Sequence, residues 1–259
     1  MRMTVVGCGY LGAVHAAAMA SIGHEVVGID VDERKIGELQ QGRAPFFEPG
    51  LQEILTAGLE SGRLSFTTDF SRAAGSRVHF IAVGTPQQAD GRAADLRFVN
   101  SAVEALLPHL APGDVVAGKS TVPVGTAAGL AEVVVPTGAE LAWNPEFLRE
   151  GWAVEDTIQP DRLVVGVPAG ERGEAVAEVL REVYRPAVDA GTPFLVTDFA
   201  TAELVKVAAN AFLATKISFI NAMAEIAEVT GADVVQLYTG LISRGPSLVL
   251  QAARALRRS

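Results

Sequence analysis

The chain has 259 residues, of which 49% are hydrophobic and 20% charged, and a formal net charge of −9. This length allows one large or two modest domains, and the acidic balance argues against nucleic acid as the main partner. No stretch of the sequence approaches the roughly 20 apolar residues that are needed to span a bilayer. A single cysteine, Cys8, excludes an internal disulfide and favours a cytoplasmic location. The four histidines lack metal-ligand spacing, so no metal site is predicted.

Short apolar runs recur along the chain and alternate with helical patterns. Eight of the runs are typical of buried strands, at residues 5–6, 26–29, 64–68, 78–83, 115–117, 140–142, 163–165 and 194–196. Helical periodicity is clear over residues 96–107 and 171–184. The alternation predicts an α/β fold with a doubly wound, mostly parallel, Rossmann-like sheet. Ligands of such sheets bind at the carboxyl ends of the strands.

The first strand leads into a glycine-rich loop, Gly7-Cys-Gly-Tyr-Leu-Gly12, and the second strand ends at Asp30. Gly7 allows a tight turn, Gly9 lets the backbone approach a pyrophosphate, and Gly12 lets the next helix pack close to the sheet. Asp30 can accept hydrogen bonds from ribose hydroxyls and would repel a 2′-phosphate, which favours NAD over NADP. We therefore predict a bound dinucleotide. The alternative is a glycine-rich turn in an α/β protein that binds another ligand.

Three later strand ends carry hydroxyls, prolines or charges, at Val83–Pro86, Lys119–Pro123 and Trp143–Gly151. Such residues often do no more than form a turn. Because three of these strand ends are expected to face one crevice, they indicate a binding role. In the third segment, Glu146 and Glu150 could act as a general base or hold a water molecule. They could equally be charges that favour the N-terminus of a helix. The residues alone leave both interpretations open.

Residues 199–230 contain neither glycine nor proline and are rich in alanine. They predict a long helix that Thr197 or Asp198 caps and Gly231 ends. At ~1.5 Å per residue this helix would be about 50 Å long, which exceeds one small domain. We therefore expect it to begin a second, helical domain, and we divide the chain into residues 1–196 and residues 197–259.

Lys206 and Asn210 are four residues apart on this helix and share a face. A lysine among apolar neighbours is buried with a partner, reaches solvent or meets a ligand. Beside a dinucleotide crevice, the pair could position a hydroxyl and stabilise an oxyanion as hydride leaves. The alternative is a helix surface on which Lys206 pairs with Glu203.

Together these segments resemble the UDP-glucose/GDP-mannose dehydrogenase family, most closely its UDP-glucose-oxidising members. The resemblance runs from Met1 to about Val235 and is carried by Gly7–Gly12, Gly28–Asp32, Phe47–Leu51, Val83–Pro86, Lys119–Gly125, Asn144–Gly151, Pro160–Arg162 and the Lys206–Asn210 pair. The Pro-Glu-Phe-Leu-Arg-Glu-Gly block is much more specific than the glycine loop. The family oxidises C6 of a nucleotide sugar twice, from alcohol to acid, with two NAD⁺.

The resemblance implies roles for the matched residues. Asp30 and Lys35 would bind the adenosine ribose, and the full set of cofactor residues would be Gly7, Gly9, Tyr10, Leu11, Gly12, Asp30, Lys35, Thr85, Thr121 and Glu150. The sugar would lie against the backbone of Phe147, Leu148, Arg149 and Glu150, with Lys206 and Asn210 steadying its C6 oxygen. Glu146 would activate water for thioester hydrolysis. The candidate catalytic residues are therefore Lys206, Asn210, Glu146 and Thr121.

One element of the family is missing from the sequence. The family attacks the aldehyde with a cysteine in a Gly-Phe-Gly-Gly-x-Cys segment after the long helix, because hydride can leave only from a tetrahedral adduct. After about residue 240 this sequence departs from the family pattern, and the family's UDP-binding domain is also missing. Cys8 lies in the phosphate loop and cannot substitute. We therefore expect NAD binding without completion of the four-electron oxidation.

The resemblance also implies partners. The substrate would be a nucleotide sugar, UDP-glucose in first place, and a homodimer would form through the long helix; no nucleic-acid or membrane partner is expected. Two other functions stay open. One is a catalytically silent NAD-binding and dimerisation module. The other is a relative of the β-hydroxyacid dehydrogenases, against which the Pro-Glu-Phe-Leu-Arg-Glu-Gly block argues.

Overall fold

Eight strands form one sheet in this computed structural model, which describes residues 1–88, 91 and 93–242. The strands are β1 Arg2–Val6, β2 Glu25–Ile29, β3 Leu64–Thr67, β4 Val78–Ile81, β5 Val115–Gly118, β6 Glu140–Trp143, β7 Leu163–Gly166 and β8 Phe194–Thr197. Their order is β3-β2-β1-β4-β5-β6-β7-β8. Neighbours pair in parallel except β6 and β7, which pair antiparallel at Trp143 and Gly166. The predicted doubly wound, mostly parallel sheet is confirmed.

Ten α-helices lie in the described residues. They are α1 Tyr10–Ser21, α2 Glu33–Gln40, α3 Leu51–Glu60, α4 Arg97–Leu106, α5 Thr126–Val134, α6 Ala153–Ile158, α7 Glu171–Val183, α8 Arg185–Asp189, α9 Phe199–Thr230 and α10 Val234–Ile242. Side chains alternate between the two faces of each strand. Along β1, Met3 and Val5 therefore join the core cluster that contains α1, α3 and α7, whereas Val6 joins the cluster that contains α4 and α5.

β1 passes into α1 through a turn at Gly7, whose φ of +91° strongly favours glycine. The Gly7 N–H donates to the carbonyl oxygen of Ile29 in β2 (2.7 Å). A Cβ at Gly12 would stand 1.7 Å from the carbonyl oxygen of Gly7, whereas a Cβ at Gly9 would meet nothing within 4 Å. The turn therefore brings the first turn of α1 directly against the end of β1 and leaves open space at Gly9.

The long helix α9 has the ends that the sequence predicts. The Asp198 carboxylate accepts the N–H (2.8 Å) and the hydroxyl (2.7 Å) of Thr201, and Gly231 follows the helix with a φ of +72°. The chain divides into two compact units, Met1–Val207 and Ala208–Ser259, so the division falls within α9. The domain boundary after residue 196 stays a prediction. The predicted divergence after about residue 240 lies mostly outside the described residues.

By length and composition α9 could cross a membrane, because it contains an 18-residue window with a mean hydropathy of 1.3. This corrects the expectation that no segment is apolar enough. A count of uninterrupted apolar residues misses a helix in which many alanines and scattered large apolar residues outweigh a few charges. Apolar helices of soluble proteins have the same composition, so the feature is weak support for a membrane partner.

We predict that Gly12→Ala lowers the free energy of unfolding by about 2 kcal/mol or more. The added methyl group would clash with the carbonyl group of Gly7, which can move away only if the turn opens. Gly9→Ala is the matched control and should cost less than about 1 kcal/mol. Urea denaturation measures both values. Equal losses in the two variants would contradict the prediction.

Candidate functional site

The carboxyl ends of β1, β2 and β4 border a cleft of about 430 Å³. It lies where the strand order reverses, between β1 and β4, which is the usual ligand site of an open α/β sheet. Four of the predicted cofactor residues line it: Gly7, Gly9, Asp30 and Lys35. Tyr10, Leu11 and Gly12 follow in the first turn of α1. The loop after β4 and helix α4 supply the opposite wall, including Val83, Gly84, Phe98 and Ser101.

Asp30 has three hydrogen-bond donors around its buried carboxylate. Its Oδ2 accepts from the N–H of Cys8 (2.7 Å) and from Nζ of Lys35 (2.7 Å), and its Oδ1 accepts from the N–H of Asp32 (3.0 Å). Asp30 thereby joins the glycine loop to the start of α2. Burial raises the pKa of the Cys8 thiol, in agreement with a packing role for that side chain.

A dinucleotide fits this arrangement. The open space at Gly9 lies beside the N-terminus of α1, whose first N–H groups have no partner within the helix and attract phosphate. The carboxylate of Asp30 stands at the end of β2, the position that binds ribose hydroxyls in dinucleotide folds. The cleft can therefore hold the adenosine and pyrophosphate of the cofactor.

Hydroxyl groups join the strand-end loops after β4 and β5. Thr85 Oγ1 donates to the carbonyl oxygen of Thr121 (2.7 Å), and Ser120 Oγ donates to that of Val83 (2.6 Å). Thr85 and Thr121, two predicted cofactor residues, are thus brought together. The Thr85 hydroxyl already donates to the Thr121 carbonyl oxygen, so a cofactor that contacts Thr85 would share this hydroxyl with that bond.

Lys206 pairs with Glu146 in the first unit. Its Nζ lies 2.8 Å from Glu146 Oε1, and the lysine side chain is only 8% exposed. The second carboxylate oxygen, Oε2, accepts the N–H of Leu148 (2.6 Å). A buried ammonium can stabilise negative charge on a substrate oxygen, and a carboxylate beside it can accept a proton from water. Two of the predicted catalytic residues therefore lie in direct contact.

Glu203 has a different partner from the one considered in the sequence analysis. Its Oε2 accepts the N–H of Gly125 and its Oε1 that of Ala127, both at 2.7 Å. The hypothesis that Lys206 pairs with Glu203 was wrong, because the carboxylate turns to the otherwise unsatisfied N–H groups at the start of α5. This bond holds the first turns of α9 against the loop that follows Thr121.

The loop between β6 and α6 contains the predicted sugar-binding residues. The N–H of Arg149 donates to Asp156 Oδ2 (2.8 Å), and its guanidinium pairs with the same carboxylate (2.5 Å). The N–H of Leu148 is held by Glu146. Arg149 is therefore fixed against the protein, and two backbone donors of the loop are already engaged.

Phe147 and Glu150 complete the loop. Two cations lie near the Phe147 ring, the guanidinium of Arg162 at 4.2 Å and Nζ of Lys206 at 5.5 Å from the centroid. Such contacts stabilise a cation at an aromatic face. The Glu150 side chain is exposed. Asn210 belongs to the second unit and is also exposed, so its contact with a substrate oxygen stays a prediction.

Lys119 is a buried cation to which the sequence analysis gave no role. Its Nζ contacts Asn144 Oδ1 (3.1 Å) and the hydroxyl of Tyr184 (3.3 Å), and that hydroxyl donates to the same Asn144 oxygen (2.7 Å). Burial lowers the pKa of Lys119 to about 8; Glu146 opposes this effect and Lys206 adds to it. The network fixes Asn144 at the start of the Glu146 loop. The sequence signal that could have indicated this role is the position of Lys119, a charged residue directly after the apolar strand β5.

Two domains of one family match the chain. The NAD binding domain of the UDP-glucose/GDP-mannose dehydrogenase family matches residues 1–188, and the central domain of that family matches residues 200–249. The chain therefore belongs to the UDP-glucose/GDP-mannose dehydrogenase family, which uses NAD.

Known relatives agree with this assignment. The chain is 45% identical to a UDP-glucose 6-dehydrogenase of Rhizobium meliloti over 246 residues, which are 93% of this chain and 56% of the relative. A UDP-glucose dehydrogenase structure from Pyrobaculum islandicum is 42% identical with a TM-score of 0.82, over 93% of this chain and 56% of that one. A GDP-mannose dehydrogenase structure from Pseudomonas aeruginosa is 32% identical with a TM-score of 0.85, over 95% and 57%. The chain spans about half the length of the curated relatives it matches.

We predict a pH-dependent stability difference between the wild type and Lys119→Met. Between about pH 8 and pH 10.5 the unfolded chain keeps a proton on Lys119 that the folded chain releases, so stability at this site rises with pH through that window. The wild type should gain roughly 3 kcal/mol relative to Lys119→Met, at ~1.4 kcal/mol per pKa unit. Urea denaturation across this range measures the gain.

Lys216→Met provides the control, because the side chain of Lys216 is exposed on α9. We expect no comparable gain relative to this variant. A Lys119→Met difference that stays constant from neutral to alkaline pH would contradict the prediction.

Proposed function

We propose that this chain forms the NAD⁺ site and part of the nucleotide-sugar site of a dehydrogenase that oxidises the C6 alcohol of UDP-glucose. The observation that carries the proposal is the Lys206–Glu146 pair, which is held in the same unit as the cleft at Gly7, Gly9 and Asp30. The name of the R. meliloti relative supports UDP-glucose as the substrate.

The residues proposed to bind the cofactor all belong to the first unit. Asp30 and Lys35 line the cleft and would bind the adenosine ribose, and the N–H groups of Tyr10 and Leu11 at the start of α1 would meet the pyrophosphate. Thr85, Thr121 and Glu150 contact the remainder of the cofactor. Bound NAD⁺ supplies the acceptor for hydride from C6.

Sugar binding involves the loop after β6 and the start of α9. Lys206 would donate to the C6 oxygen and stabilise the alkoxide that forms as the hydroxyl proton passes to solvent and hydride passes to NAD⁺, with Asn210 as a second donor. The backbone of Phe147, Leu148, Arg149 and Glu150 cradles the sugar. Glu146 accepts a proton from the water that completes the second oxidation.

The second oxidation also needs a thiolate, because hydride leaves only from a tetrahedral adduct of the aldehyde. The one cysteine of this chain, Cys8, is buried in the core, and burial raises its pKa. We therefore propose that the chain alone does not form two NADH per UDP-glucose. Sustained production of two NADH by the purified chain would contradict this.

We further propose a homodimer through α9. Large apolar side chains of the second unit are about half exposed, among them Phe212, Leu213, Ile217 and Phe219 at 49–53%. Burying such side chains against a second copy would remove them from water. The cytoplasmic location stays a prediction.

We predict that NAD⁺ raises the melting temperature of the chain in a concentration-dependent way, because a ligand that binds only the folded state stabilises it by mass action. NADP⁺ should give a much smaller shift, since Asp30 repels a 2′-phosphate. Asp30→Asn should weaken NAD⁺ binding about tenfold, as expected for loss of charged hydrogen bonds worth ~1.5 kcal/mol. Thermal scans with each nucleotide measure all three effects.

Asp233→Asn is the matched control, because Asp233 belongs to the second unit and is not among the residues that line the cleft. Equal shifts with both nucleotides would contradict the assignment of Asp30. No shift with either would contradict the cofactor site.

We predict a further rise in melting temperature when UDP-glucose is added to the NAD⁺-saturated chain. Lys206→Met should abolish this second rise but keep the first, whereas Lys216→Met, a change of an exposed lysine, should keep both. A first rise without a second would favour a silent NAD-binding module. Stabilisation by a small β-hydroxyacid in place of UDP-glucose would favour the β-hydroxyacid dehydrogenase alternative.

A further inference from the structure

Glu48 is a buried carboxylate in the segment Phe47–Leu51, to which the proposed function assigns no role. Its Oε2 accepts the hydroxyl of Tyr10 (2.5 Å) and the N–H of Gly151 (3.0 Å), and its Oε1 accepts the N–H of Ala153 (2.8 Å). The side chain is 5% exposed. One carboxylate thus joins three donors from two separate parts of the chain.

The two parts are the two binding segments of the site. Tyr10 is the first residue of α1 and follows Gly9 of the glycine loop. Gly151 ends the loop that carries Glu146, and Ala153 begins α6. Glu48 therefore bridges the phosphate-binding end of α1 and the far end of the sugar-binding loop.

The chemistry of the bridge makes its members depend on one another. Hydrogen bonds to an ionised carboxylate are short and strong, and a buried charge that loses a donor is costly. Burial and the hydrogen bond to Glu48 raise the pKa of Tyr10, so its hydroxyl remains a donor. The three donors of Glu48 are neutral, and together they stabilise its negative charge. If the Tyr10 hydroxyl moves away, the N–H groups of Gly151 and Ala153 must stabilise more of that charge.

We propose that Glu48 is a positioning residue that couples NAD⁺ binding at the glycine loop to order in the sugar-binding loop, residues 146–151. This inference rests on the proposed function. NAD⁺ holds the first turn of α1, Tyr10 then holds the Glu48 carboxylate, and the carboxylate holds the N–H groups of Gly151 and Ala153. By reciprocity, a nucleotide sugar that orders the loop tightens NAD⁺ binding by the same factor.

Amide hydrogen exchange of the full chain with and without saturating NAD⁺ tests the coupling, read on a peptide that covers residues 147–153. In the wild type NAD⁺ should slow exchange of the Gly151 and Ala153 amides about tenfold, the factor that ~1.4 kcal/mol represents. Tyr10→Phe removes only one end of the bridge. It should keep slow basal exchange of these amides but lose most of the slowing by NAD⁺.

Glu48→Gln should speed basal exchange of both amides and also lose the NAD⁺ effect. Glu53→Gln, an exposed glutamate in α3, is the matched control and should behave as the wild type. An equal NAD⁺ effect in the wild type and Tyr10→Phe would overturn the coupling, even if Glu48→Gln failed to fold. NAD⁺ that raises the melting temperature but leaves this exchange unchanged would overturn the coupling alone, whereas NAD⁺ that does neither would overturn the proposed function with it.

Discussion

The approach of Gly12 to the carbonyl oxygen of Gly7 is the constraint on which the rest of the site depends. It sets the distance between β1 and the first turn of α1, and so where the helix N-terminus meets the cleft. Asp30 can then reach the N–H of Cys8, and the Tyr10 hydroxyl can reach Glu48. A larger side chain at either glycine would displace the phosphate-binding end and every bond that starts from it.

Buried carboxylates, rather than regular secondary structure, hold the loops of this site. Asp30, Glu48 and Glu203 each accept backbone N–H groups from a segment distant in the sequence or at a helix start. A charged acceptor in a buried position makes these bonds strong and makes their loss expensive. The loops can therefore stay open to ligands and still keep one geometry. Glu203 extends this to α9, because it holds the helix that carries Lys206.

The sequence predicted the local features and missed the pairings between distant segments. The strands, the glycine turn and the Asp198 cap depend on periodicity or on a few adjacent residues, and all appear as expected. The contact of Lys119 with Asn144 depends on the register of β5 and β6, in which Gly118 pairs with Trp143. The Lys206–Glu146 pair joins segments 60 residues apart. No local pattern encodes either contact. The roles of the loop after β6 came from a family motif, because its glutamates alone fit two interpretations.

The antiparallel step between β6 and β7 also brings the start of α9 close to the end of β6. Trp143 pairs with Gly166, and the first turn of α9 packs on Gly166, where a Cβ would lie 3.1 Å from Cα of Phe199. Lys206 lies seven residues after Phe199, about two helical turns or ~10 Å further along α9. Its Nζ pairs there with Glu146, in the loop that follows β6. The number of residues between Phe199 and Lys206 is therefore fixed independently of their identity, since one inserted residue would rotate the lysine by ~100° away from its carboxylate.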